Sequence, residues 1–214
     1  MSDRNVSLMP ASSLPAALRE QWWIPSRSLL AAIEPGRAEV KVLAAEIDPD
    51  VGVDVYDTRP VWTRVTERDG DSFSGVITAS NLGRAGFRAG DRLTATLDHV
   101  FDFVIEDDRG APSLNEERAR FALGKQVLVG LTTLSTAGEL IERKQFAGRL
   151  ATVDRLRGLE LELEDGDRYW LPPDVRSLEP APPGDYRLRS TGQTVRDPDF
   201  LFTWTITRGT GAPP

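Results

Sequence analysis

The sequence predicts a mainly β protein of the α+β kind: two small antiparallel sheets, or partly open barrels, in tandem, each with one or two short helices. Three observations point there. Short runs alternate apolar and polar side chains, the signature of half-buried strands. Asp69-Gly70 and Asp165-Gly166 each join two such runs, as hairpin turns do. Stretches with helical periodicity are few and short. A length of 214 residues suits one large β domain or two small ones. A charged segment carrying Gly110 and Pro112 separates the two predicted domains, residues 1–108 and 109–214.

In the first domain the opening ten residues are polar and are expected to fray. Leu14 to Gln21 can form a short helix that Pro25 interrupts. Ser26 is placed to cap a second helix through Leu29, Leu30 and Ile33, which Pro35-Gly36 ends. A strand over 39–45 leads into an acidic loop at 46–57. The clearest hairpin spans 61–79, with Val61, Thr63 and Val65 on one face and Phe73, Gly75 and Ile77 returning beside them. A glycine-bearing loop over 80–90 precedes two more strands, 92–97 and 100–105.

The second domain opens with a helix to Leu123, with Ser113 as the expected cap and Glu116 at capping-box spacing. Strands are expected at 126–134 and 139–153. Leu159, Leu161 and Leu163 alternate with Glu160, Glu162 and Glu164, which predicts leucines inward and glutamates in water. Strands at 168–171, around Tyr186 and Leu188, and over Phe202, Trp204 and Ile206 complete the domain, and residues 209–214 read as a disordered tail.

Charge is divided unevenly. Residues 1–108 hold 18 Asp and Glu against 11 Arg and Lys, whereas 109–214 hold 15 of each. Nucleic-acid binding needs a basic stripe to displace counterions from phosphates, and neither half has one. No apolar run approaches the length that crosses a bilayer, and the first residues lack the pattern of a secretory signal. With no Cys there is neither a disulfide framework nor a thiolate. The expectation is a cytoplasmic protein that binds neither nucleic acid nor membrane.

Candidate chemistry is sparse. His99 lies between Asp98 and Asp102, but in a strand those carboxylates share a face that excludes it, and no nucleophile is nearby. Asp48, Asp50, Asp54 and Asp57 are oxygen ligands without the glycine and terminal glutamate of a calcium loop. Asn81 to Gly86 lacks the order of a dinucleotide turn, and no serine sits in a nucleophile elbow. No cofactor, metal or catalytic residue is therefore expected. The acidic clusters remain, at 46–57 and at Asp98, Asp102, Glu106, Asp107 and Asp108. Crowded like charges repel, and a basic partner relieves that repulsion while being steered in. Trp22 and Trp23 are adjacent, so in an extended segment one points outward, and Trp22 is the candidate interface anchor.

Trp23-Ile24-Pro25-Ser26, Pro35-Gly36, Val40-Lys41-Val42, the run Val61 to Thr66, Gly75-Val76-Ile77, Gly90-Asp91-Arg92 and His99-Val100-Phe101-Asp102 form a pattern over residues 22–105. It resembles a bacterial family of unknown function with relatives among immunity proteins predicted to neutralise polymorphic toxins. Leu171-Pro172-Pro173-Asp174, the run Pro182 to Gly192, and Asp197-Pro198-Asp199 resemble an uncharacterised bacterial β-rich domain. The first resemblance implies a non-enzymatic binding protein with a basic protein partner. Asp48, Asp50, Asp54, Asp57, Asp107 and Asp108, with Trp22, are the expected contact residues. Two alternatives stay open: a hydrolase using an interdomain cleft, and an accessory or scaffold module without chemistry of its own.

Overall fold

The structure, a computed structural model, describes residues 6–46, 58–80, 87–106 and 114–208. Residues 47–57 of the expected acidic loop, most of the loop at 80–90, the linker, the Ser113 cap and the 209–214 tail lie outside those residues. The chain divides into two units, Met1–Ser113 and Leu114–Pro214. It is mainly β, with largely antiparallel sheets. Among the described residues no helix is long and apolar enough to cross a membrane.

In the first unit, β2 (Ala38–Glu46), β3 (Arg59–Asp69), β4 (Ser72–Ser80) and β5 (Arg92–Thr96) form an antiparallel meander. The next strand, β6 (Val100–Ile105), pairs back onto β2. Strands β5 and β6 thus end opposite sides of the sheet yet are joined only by a 3-10 turn, Leu97–His99. So short a link forces the sheet to roll into a nearly closed barrel. Its inside is filled by the alternating side chains the sequence pointed inward, among them Val40, Val42, Val61, Val65, Phe73 and Ile77.

The hairpin turn differs in register from the expected Asp69-Gly70. Asp69 pairs with Ser72, so the two loop residues are Gly70 and Asp71. Only the first has positive φ, 57°, the angle pattern of a II′ turn with glycine at its first central position. A short strand, β1 (Val6–Leu8), pairs with the end of β2, so residues expected to fray contribute to the sheet.

The N-terminal segment covers the outside of the barrel. A 3-10 turn (Ala11–Ser13) and α1 (Ala16–Arg19) lead to Trp22, which packs with Leu14, Leu43 and Phe101 in a second small core. That core exists because β6 carries a bulge. Lys41 faces Asp102 and Val42 faces Val100, so Phe101 is the extra residue and its ring joins Asp102 on the outer face. Helix α2 (Arg27–Leu30) is a single turn held at both ends. Ser26 Oγ accepts from the Leu29 N–H, as predicted. At the other end Arg68, from β3, donates to the Leu30 and Ile33 carbonyls at 3.0 and 2.8 Å.

The second unit begins with α3 (Glu116–Phe121), whose N-cap is Asn115 and not Ser113. The Asn115 amide oxygen accepts from the Arg118 N–H at 3.2 Å, which makes Glu116 the first helical residue. Strands β7 (Gln126–Ser135), β8 (Leu140–Asp154), β9 (Gly158–Leu163) and β10 (Arg168–Leu171) form a second meander. On the other side of β7 lies β14 (Phe200–Arg208), then β11 (Leu178–Pro180). Strands β7 and β14 run parallel over nine residue pairs, within sheets whose other described pairings are antiparallel, as expected. The chain from the end of β7 to the start of β14, residues 136–199, is the long connection a parallel pair requires, and besides β8 to β11 it holds the ribbon β12 (Asp185–Arg187) and β13 (Thr194–Arg196). Ribbon residues Tyr186 and Val195, with Leu188, pack on Leu128, Ala147 and Leu201, so the sheet is covered on that face while Val127, Val129, Phe200 and Phe202 fill the main core.

Candidate functional site

The carboxylates expected to form one acidic face are sorted into different environments. Asp48, Asp50, Asp54, Asp57, Asp107 and Asp108 lie outside the described residues. Asp102 is fully buried, and its Oδ1 accepts the Phe103 N–H at 2.9 Å. It stands directly across from Lys41, which is 1% exposed and whose Nζ lies 5.9 Å from the centre of the Trp62 ring. Glu106 is held by Arg64, and this contact, with Glu39 nearby, raises the Arg64 guanidinium above its ordinary value. Asp98 alone of the described members of this second cluster is exposed. The bulge explains the sorting: in a regular strand Phe101 and Asp102 would occupy opposite faces.

Trp22 is not an exposed anchor. It is 7% exposed and meets Phe101 edge-on at 5.6 Å, while Trp23 is half-buried against Phe103 at 6.3 Å. Neither tryptophan faces water fully, because the N-terminal segment lies on the sheet and wraps its rim. The Trp22 indole N–H is buried without a hydrogen-bond partner among the described residues.

His99 belongs to the 3-10 turn and not to a strand, so strand alternation does not govern its neighbours. Its Nδ1 accepts from the Thr96 N–H at 3.3 Å and lies 2.8 Å from Thr96 Oγ1. That geometry calls for the proton on Nε2 and assigns the ring to closing its own turn.

This turn forms one wall of a cavity of about 320 Å³ in the first unit. Ile24, Pro25, Leu30, Leu97 and Val100 give it apolar sides. Arg27, Asp71 and Asp98 supply its charge. Each wall is fixed by specific hydrogen bonds. Ser26 and Arg68 hold α2 and with it Leu30. The Leu97 N–H donates to the Asp71 carbonyl at 2.8 Å, tying the 3-10 turn to the β3–β4 hairpin. Asp98 accepts from the Ser12 hydroxyl at 2.5 Å and the Ser12 N–H at 3.2 Å, tying the N-terminal segment to the same turn. Arg27 and Asp71 pair at 3.3 Å with both side chains mostly in solvent. Among the lining residues two carboxylates meet one guanidinium, so the cavity carries net negative charge at neutral pH.

The second unit holds two further buried charged groups. Glu160, expected on the wet face, is only 7% exposed. It sits in register between Thr152 and Trp170. Hydrogen bonds from Arg168 and then Thr152 hold its carboxyl below the ordinary glutamate range. Arg157 lies over the Trp170 ring at 4.2 Å and helps close the site. Strand alternation is therefore kept, but long arginine side chains from neighbouring positions cover the outward glutamate. Arg118 on α3 is 5% exposed and donates to the Leu178 carbonyl; burial lowers its guanidinium to about 10, so it remains a cation at neutral pH.

No family model, curated protein or solved structure matches this chain.

Proposed function

We propose that the chain is a non-enzymatic protein-binding module whose N-terminal unit occupies a basic surface on a partner protein, as an immunity-type protein would. The observation that carries this reading is the partition of charge between the units. Met1–Ser113 holds 18 acidic against 12 basic residues, whereas Leu114–Pro214 holds 15 against 14. A net charge of that size, confined to one unit, repels itself and steers an oppositely charged protein toward that unit. Burial of Asp102 and pairing of Glu106 remove two of those carboxylates from any outward face. That leaves the acidic stretches 46–57 and 107–108 as the contact residues of this reading.

The test uses the chain as bait in a native extract, with partners identified by mass spectrometry across a salt series. A basic protein is expected, with retention falling as salt rises from 50 to roughly 500 mM, where the screening length drops below about 5 Å. Replacing Asp48, Asp50, Asp54 and Asp57 together by Asn should release it at low salt. A partner retained equally by this variant and at high salt would overturn the reading.

A further inference from the structure

We infer that the cavity between α2 and the 3-10 turn receives a guanidinium- or ammonium-tipped side chain, an Arg or Lys supplied by the protein partner. The inference rests on the reading above and gives it a specific point of contact. At about 320 Å³ the cavity has room for one long side chain and not for a large cofactor. Its walls and its charge call for an amphipathic cation. Ile24, Pro25, Leu30, Leu97 and Val100 offer apolar surface to an alkyl stem, and Asp71 and Asp98 offer carboxylate oxygens to the head. An apolar ligand would leave those carboxylates facing it without gain, and an anion would meet two negative charges.

The resident cation shows the chemistry on a small scale. Arg27 already places its guanidinium 3.3 Å from Asp71, but its side chain is 88% exposed, so it rests on the rim and leaves the interior open. An incoming Arg or Lys competes with Arg27 for Asp71 while its stem covers the apolar walls. This gives two substitutions opposite effects. Removing Asp71 deletes an acceptor, and removing Arg27 deletes the competitor. Because both side chains are mostly in solvent, neither change disturbs the core, and a folding defect cannot produce opposite signs.

The experiment is an NMR titration of the full chain with N-acetyl-arginine methylamide, N-acetyl-lysine methylamide and the uncharged N-acetyl-norleucine methylamide. The methyl groups of Ile24, Leu30, Leu97 and Val100 are the reporters. Saturable shifts at these methyls are expected with the two cations and weak or no shifts with norleucine. D71N should weaken the cations about two- to fivefold, the range of an exposed charge contact, and R27Q should strengthen them. Equal binding of norleucine, or equal effects of D71N and R27Q, would show an apolar pocket without charge selection and overturn the inference. So would the absence of shifts at millimolar probe. The two proposals fail separately. A basic partner retained by D71N and R27Q as by the parent, with silent methyls, removes the pocket inference alone. Shifts with the cations but no basic partner in the extract remove the protein-partner reading.

Discussion

Single side chains in this protein are decided by what their neighbours leave for them. Glu160 has the sequence position of a solvent-facing residue, yet Arg168, Thr152 and Trp170 enclose it. Because its carboxyl is held below the ordinary range in the folded state, the resulting stability is present at neutral pH. It is lost as pH falls below about 4.3 toward the lowered folded value. Chemical denaturation of wild type and E160Q should therefore show a wild-type advantage near pH 7 that closes progressively in acid. His99 makes a different kind of contribution. H99A should reduce stability by about 1 kcal/mol, the usual effect of losing a cap-type hydrogen bond, read from denaturant midpoints. At Trp22 shape matters more than the unsatisfied N–H. W22A should cost about 3–5 kcal/mol by leaving a void against Phe101, and W22F a small fraction of that, both read from denaturant midpoints.

Elements are set by pairs of residues that arrive from different strands. Lys41 and Asp102 illustrate this, since the bulge at Phe101 brings opposite charges to directly opposed, buried positions. Removing either charge alone should cost about 3 kcal/mol or more, and the K41M/D102N double variant should be markedly less destabilised than the sum of the single changes. A double-mutant cycle by urea unfolding measures that difference. The N-terminal strand-and-hairpin architecture was legible in the sequence because its information is local. Alternation placed the β3–β4 hairpin, Ser26 named the α2 cap, and Gly70 marked the turn. The bulge was not legible, because Val100 to Ile105 reads as an apolar run interrupted by one Asp and says nothing about which residue is extra. The same holds for α2 and Arg68, which are 38 positions apart. Sequence periodicity predicts which face a residue shares with its own strand, and it is silent on side chains that reach in from elsewhere.

At the scale of the whole molecule, charge separates two units that share a β-rich style. Self-repulsion is concentrated in the first, so added salt should raise the stability of residues 1–113 more than that of 114–214. Hydrogen exchange resolved by residue at low and moderate ionic strength would read this, with core amides of β2 and β3 gaining more protection than those of β7 and β8. The candidate site was only half visible beforehand. Asp98 stood out as part of an acidic group, but Asp71 became relevant only because the hairpin loop begins one residue later than the Asp-Gly pair suggested. The lining comes from four separate segments, Ala11, 24–30, Asp71 and 96–100, whose meeting depends on the barrel's closure. The parallel pairing of β7 with β14 also orders events in time. Ribosomal synthesis delivers β7 to β10 first, and these four strands keep one flank bare while some thirty further residues emerge. Only when residues 200–208 arrive does a late strand join that bare flank, beside β7, and until then the nascent chain displays an unpaired edge of Val127, Leu128 and Val129.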